Sequence, residues 1–367
     1  MQENFSVPMS RPDITEDEIK AVTDVLESGW PTQGRVTEQF EALLASYFSS
    51  SIVAVNSGSS ALLCALIAHG IRPGNKVVVP AFTFVASASI PKILGAEIIV
   101  ADVDRSTFNL DPRAVEAIVK RNSGVKAVVV VDVAGLPADI DAFRELSKRY
   151  GFVLIEDAAE ALGAEYKSEK LGSFDHTTIF SFQIAKQLTT IEGGCVSTTN
   201  EDIATKCRQV RNYGRDENAR YVHQLLGLNL RITDVQSAIG IVQYKKLEGY
   251  LRRRNEIAMK YRQVTRRLAY QAIPSYASRH SYMIFFALAK DKTERDTLLG
   301  QFVGRRIDAR EPWMPINMQP CFPELNKVQC PNAKDIFDRA FTLPIYNSME
   351  PTDVAKVVDT MRELLPP

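Results

Sequence analysis

Phe152-Val153-Leu154-Ile155-Glu156-Asp157-Ala158-Ala159-Glu160 is the stretch on which the fold turns. A compact apolar run, Phe152–Glu156, reads as a strand buried on both faces, and it ends in an acidic pair. Similar runs rich in Val and Ile occur at Val77–Pro80, Glu97–Asp102 and Lys126–Val133. Helix-period stretches separate them, at Ser60–His69, Asp111–Arg121 and Asp139–Tyr150. Asp111-Pro112 supplies an N-cap followed by proline at the first helical position, while Gly70, Gly74 and Gly151 mark helix ends. This alternation predicts an α/β domain, with helices on both faces of a mostly parallel sheet.

Further along, Thr178–Phe182 and Gly194–Thr198 read as two more strands joined by a loop that carries Lys186. Residues 245–268 read as one long helix with Ile257, Tyr261, Val264 and Leu268 inward, leaving Arg252–Arg254 and Arg266–Arg267 solvated. That helix is expected to lead into a smaller C-terminal α+β domain, with a strand at Ser281–Ala289 and a closing helix at Asp353–Leu365. The expected division is 1–245 and 246–367.

At 367 residues, 45% hydrophobic and 24% charged, the composition is that of a globular protein. Acidic and basic side chains number 44 each, so no net field draws the chain onto nucleic acid or an anionic membrane. The five cysteines form no CxxC pair, which points to a reducing compartment without a disulfide framework. The N-terminus carries acids early and has no apolar signal core, and no long apolar span follows. A cytoplasmic address is expected. His69, His176, His223 and His280 are scattered without carboxylate or cysteine at ligand spacing, so no metal is expected.

Three segments at predicted strand ends could carry chemistry, since ligands of open α/β sheets bind there. Asn56-Ser57-Gly58-Ser59-Ser60-Ala61-Leu62 passes from strand to helix through small hydroxyl residues. It could hold an anion on helix N–H groups, or simply cap the helix. It is not the GxGxxG of a nicotinamide site. Asp157, after its strand, could meet a cationic ring nitrogen or cap the next helix. Lys186 follows the aromatic strand Phe180-Ser181-Phe182 and precedes Gly193-Gly194. Desolvated there, its amine would have a lowered pKa and could form an imine, although a single lysine is more often a solvated charge. In this order, an anion cradle, an acid and a lysine match the parts of a pyridoxal site.

The chain resembles the sugar aminotransferases of the DegT/DnrJ/EryC1/StrS family, among fold-type-I enzymes dependent on pyridoxal 5'-phosphate (PLP). Beyond the three segments, the resemblance rests on Ser28-Gly29-Trp30 with Thr32-Gln33-Gly34, on Val79–Ala86, Asp102-Val103-Asp104 and Glu192-Gly193-Gly194. It continues through Gly227-Leu228-Asn229-Leu230-Arg231, Gln236–Gly240 and Leu343-Pro344-Ile345-Tyr346. It implies that Lys186 carries the cofactor as a Schiff base and that Asp157 keeps the pyridine nitrogen protonated. Gly58, Ser59, Ser60 and Ser181 are implied around the phosphate, with Asn229 reaching in from a second subunit of a homodimer. Phe84 is similar to the ring-stacking aromatic, and Glu160 stands near the ring oxygen or the substrate. Trp30 and Trp313 could border the substrate or serve packing.

The implied reaction moves an amino group from glutamate or glutamine to a keto-sugar, nucleotide-linked, for cell-surface glycan (lipopolysaccharide) or antibiotic sugar synthesis. The cofactor would alternate between PLP and its amine form, pyridoxamine phosphate (PMP). A cyclitol ketone is an alternative acceptor. A dehydratase of the same family would carry His in place of Lys186, and a non-catalytic PLP-binding regulator would have lost parts that are all present. Departures from the family pattern fall at Ile191, where glycine is usual, at Leu230 in the Asn-Tyr-Arg stretch, and at Asp132, where relatives carry His. Ile191 is expected to reshape the loop after the lysine.

Overall fold

Runs of Val and Ile become strands because branched side chains pack well on a pleated surface covered on both sides. In the computed structural model, which describes residues 5–216 and 221–365, these runs are β1 (Ser51–Val55), β2 (Lys76–Pro80), β3 (Glu97–Ala101), β4 (Val125–Val131) and β5 (Val153–Asp157). A short hairpin, β6 (Glu165–Tyr166) and β7 (Glu169–Lys170), precedes β8 (Thr177–Ser181) and β9 (Gly194–Thr198). The main sheet has the order β1-β9-β8-β5-β4-β2-β3. β3, β2, β4, β5 and β8 run parallel, and β9 is antiparallel to both of its neighbours.

Alternate side chains of each strand enter different cores. Val53, Val77, Val79, Ile155 and Ile179 join Leu62, Ala65 and Leu66 of the helix Gly58–Ala68 on one face. Ile52, Val78, Val128, Leu154 and Phe180 join Phe40, Leu44 and Phe48 of the helix Arg35–Phe48, and Phe143 of Ile140–Tyr150, on the other. Each such fully buried side chain is worth about 1.5–3 kcal/mol. The Asp111 cap read from the sequence is present, accepting an amide N–H bond at its helix start, and Gly151 ends its helix at φ 75°; Asp139 caps its helix in the same way. The expected strand Lys126–Val133 stops at Val131, because the chain turns at Val133–Gly135, where Ala134 takes φ 63°.

The long helix is Asp234–Arg262, not 245–268. Its start is set by Thr233, whose hydroxyl accepts the Gln236 amide in a capping box. The first turns bury Ser237, Ala238, Gly240 and Gln243, small or polar residues that leave no apolar period in the sequence. Val264 and Leu268 fall beyond its end. Arg254, expected in solvent, is 1% exposed. Its Nε donates to Asn347 Oδ1 at 2.7 Å, and its Nη1 donates to the carbonyls of Tyr282, Met283 and Ile345 at 3.0, 3.3 and 3.1 Å. Burial pushes this guanidinium down to about 9.

Past this helix come β10 (Ala269–Tyr270), β11 (Ala277–Arg279), β12 (Phe285–Leu288) and β13 (Ala340–Leu343). β10-β12-β13 form a second sheet, and β11 joins the hairpin as β11-β6-β7. The expected strand Ser281–Ala289 is shortened because the amides of Ser281 and Met283 donate to the carbonyls of Gly135 and Ala134. The closing helix is Pro351–Leu364. A third core gathers Ile257, Tyr261, Phe285, Phe302, Phe341 and Met361 there, with Val7 drawn in by a bridge to Ile307. Residues 1–4, 217–220 and 366–367 of the expected division lie outside the described residues. The five cysteines are free thiols, only Cys321 being exposed. Among the described residues, no helix is long and apolar enough to cross a membrane.

Replacing Arg254 by Ala strands three buried carbonyls and the Asn347 amide, and should cost about 3 kcal/mol of unfolding free energy, with Arg254→Lys recovering part of it. Urea denaturation reads this directly. An unchanged midpoint would mean that the carbonyls find other donors.

Candidate active site

Loops following β1, β2, β5 and β8 converge on a cavity of about 450 Å3 at the carboxyl ends of these strands. Residues Ser57–Ser59 enter from β1, Thr83, Phe84 and Ser87 from β2, Asp157 and Glu160 from β5, and Ser181, Gln183 and Lys186 from β8. Met283, Ile284 and Trp313 close the remaining side.

The cradle is the start of the helix Gly58–Ala68. The Ser57 hydroxyl accepts the Ser60 amide at 3.1 Å, and the first N–H groups, at Gly58 and Ser59, lie outside the helix's own ladder. They face an open site at the positive end of the helix dipole. Gly58 is required by closeness: a Cβ there would come within 2.8 Å of Ser181 Cβ. Ser181 therefore stands directly against the cradle, although 123 positions separate the two residues, as the numbering gives (181 − 58).

Asp157 is 6% exposed. Burial raises its carboxyl above the usual range, while the Ser87 hydroxyl, the Ala159 amide and the Lys186 charge pull it back. Ser87 Oγ donates to Asp157 Oδ2 at 2.8 Å, and the Ala159 amide donates to Oδ1 at 3.2 Å. The arrangement holds a carboxylate in a dry place that asks for a cationic partner. Glu160 is also raised by burial and opposed by Lys186. Its Oε1 is 3.8 Å from Lys186 Nζ, and its Oε2 accepts the Ala134 amide at 2.8 Å. Lys186 sits in a turn made by its own amide bonding to the Gln183 carbonyl. Next to it, the Gln187 side chain donates to the Glu160 carbonyl and to Ser281 Oγ, tying the lysine loop to the C-terminal part.

Seven of the residues expected from the sequence thus meet in one cavity: Gly58, Ser59, Phe84, Asp157, Glu160, Ser181 and Lys186. Ser60 lies just behind it, its hydroxyl donating to Asn56 Oδ1 at 2.6 Å. Asn229 is exposed and pairs by a bridge with Asn212, outside the cavity of its own chain. Trp313 lines the cavity, whereas Trp30 is 62% exposed and does not. Sequence reasoning passed over Ser87, whose only signal was its place just after the Val79–Ala86 stretch. It also passed over Thr83, Gln183 and Glu192. Ile191 adopts φ 71°, the left-handed region that glycine takes freely and a β-branched residue does not.

The hydroxyl-lined helix start suits a phosphate, the buried Asp157 suits a protonated ring nitrogen, and Lys186 offers the amine. The site fits pyridoxal phosphate. A family model for the DegT/DnrJ/EryC1/StrS aminotransferase family matches residues 12–362. The chain belongs to this family. SpsC of Bacillus subtilis, a spore coat polysaccharide biosynthesis protein, is 32% identical over 99% of this chain and 98% of its own. DesV of S. venezuelae, solved in complex with a ketimine intermediate, superposes with a TM-score of 0.92 at 29% identity, covering 97% of this chain and 98% of that one. Spr1654 of Streptococcus pneumoniae, in its PMP form, gives 0.91 at 26% identity, covering 98% and 97%.

As a member of this family the protein is a PLP-dependent aminotransferase, and the α/β architecture is that of its relatives. Two outcomes follow from the site. Removing the Ser87 hydroxyl strips Asp157 of its strongest stabilising contact, so in Ser87→Ala the carboxylate should protonate at higher pH. Loss of bound cofactor on acidification, followed by absorbance after dialysis, should then begin at a higher pH than in the parent. Ile191→Gly should raise the unfolding free energy by about 0.5–1 kcal/mol, read by urea denaturation, because relief of a left-handed Ile outweighs the entropy of a glycine.

Proposed function

We propose that this aminotransferase carries an amino group from glutamate or glutamine to a nucleotide-linked keto-sugar, in the cytoplasm, for a surface glycan or antibiotic sugar. The observation that carries the transamination is Lys186 Nζ placed 3.8 Å from the Glu160 carboxylate in the cavity that also holds Asp157 and the cradle. The sugar acceptor draws support from SpsC, named for polysaccharide biosynthesis.

Bound pyridoxal phosphate supplies an electron sink that makes the donor's Cα–H acidic. In our reading Gly58, Ser59 and Ser181 bind its phosphate, with Ser60 supporting the cap, and Phe84 covers the ring. Asp157 holds the proton on the ring nitrogen, kept ionised by Ser87 and Ala159. Lys186, once displaced, takes the donor's Cα proton at its Nζ and later delivers a proton in the return half-reaction. Glu160, anchored by the Ala134 amide, orients that amine. Met283, Ile284 and Trp313 keep water from the reacting carbon. Residues 1–245 would then form the cofactor-holding part and residues 246–367 the part that closes on substrate. In a homodimer, Asn229 of each subunit would complete the phosphate site of its neighbour, which agrees with its exposure here.

Purified protein loaded with cofactor should be yellow and should bleach with glutamate or glutamine. A keto-sugar acceptor should restore the colour. Lys186→Ala should abolish both changes while leaving the unfolding midpoint near that of the parent. Colour that no amino donor alters would overturn the proposal. Asn229→Ala should weaken cofactor retention, measured by equilibrium dialysis, by about tenfold without lowering stability, as expected for one lost charge-assisted bond. Unchanged retention would exclude the shared site.

A further inference from the structure

A second cavity, of about 340 Å3, carries a concentration of positive charge that the reaction as described does not use. Arg208, Arg211, Arg215 and Arg231 line it, against two carboxylates, Glu38 and Asp216. Arg211 is 7% exposed and rigidly held, its Nη1 donating to Glu41 Oε1 at 2.6 Å and to the Ala54 carbonyl at 2.8 Å. Its Nε is buried yet has no hydrogen-bond partner. Arg231 lies over the Tyr213 ring, and its Nη1 donates to Asn212 Oδ1 at 2.6 Å. Among the described residues, no carboxylate forms an ion pair with Arg208, Arg215 or Arg231.

Several guanidinium groups around one cavity suit a ligand with more than one phosphate oxygen, because each planar fork can bind two oxygens. A single carboxylate, such as that of an amino donor, would leave most of this charge unmatched. The catalytic cleft has the opposite balance, with Lys186 facing Asp157, Glu160 and Glu192, so it gives a further polyanion little attraction. The two cavities are neighbours through the chain: Arg231 bridges to Val55, two positions before Ser57, and the Asn56 amide donates to the Leu230 carbonyl.

The geometry points to the arginine cavity as the seat of the phosphate groups of a nucleoside diphosphate, the carrier end of the acceptor. This rests on the nucleotide-linked acceptor proposed above. Asn229 lies two residues from Arg231, so the paired arrangement that brings Asn229 to a neighbouring cleft brings this cavity with it.

Calorimetric titration of the cofactor-loaded protein with UDP, GDP and dTDP, and with inorganic phosphate and pyrophosphate, tests the assignment. At least one nucleoside diphosphate should bind about tenfold or more tightly than inorganic phosphate, and more weakly as salt rises. The double variant Arg208→Ala, Arg215→Ala should weaken that binding by about tenfold or more, with cofactor content and bleaching by the amino donor unchanged. The double Arg→Lys variant should fall between the two. Equal affinity in parent and Ala variant would overturn the proposal. So would inorganic phosphate binding as tightly as any nucleotide, or loss of donor bleaching in the variant, which would place the arginines in the donor step. If the parent itself bleaches with no donor, the aminotransferase reading fails, while the nucleotide titration still decides the role of the cavity.

Discussion

A carboxylate buried at the end of a central strand has to be compensated, and the site is arranged around that requirement at Asp157. A charged group there is tolerable only with hydrogen bonds and a cation close by. The Ser87 hydroxyl comes from the helix after β2, the Ala159 amide from the chain's next turn, and the charge of Lys186 from the loop after β8. These contacts need β5 beside β8, with the helix after β2 reaching across β4, which is the order the sheet has. In the function proposed above, the ring nitrogen of the cofactor would be the further partner of this carboxylate.

Much of this was legible in the residues, and for a physical reason. Strands buried on both faces must be continuously apolar, so β2, β3, β4 and β5 announce themselves. Caps are local chemistry, and Asp111, Asp139 and Gly151 stand where short-range rules put them. Seven residues of the cavity were readable because the family pattern ties each to a strand end.

What escaped the sequence is non-local. Arg254 looks like one more cation in an Arg-rich stretch, and only the chain returning at Tyr282 and Ile345 turns it into a buried hub. The first turns of the helix Asp234–Arg262 pack through glycine and serine against Phe40 and Thr37, which leaves no apolar rhythm to detect. Ser87 has no motif of its own, and its importance comes from an aspartate seventy positions away, as the numbering gives (157 − 87). Ile191 showed the converse, a visible departure whose backbone outcome the residue type alone did not give.

The pairing of β1 with β9 has a consequence for the life of the chain before it is an enzyme. Ser51 meets Thr198 and Val55 meets Gly194, and that pairing, with Ser181 opposite Gly194 on the other side of β9, sets the Ser57–Ser59 turn against Ser181. Contacts so distant in sequence form late and slowly, because loop closure must precede any gain from them. A nascent chain emerging N-terminus first would hold half of the proposed phosphate site early and the other half only after residue 198 had left the ribosome. On this reading cofactor uptake would wait at least until residue 198 has emerged, and it would report that the edge of the main sheet has closed.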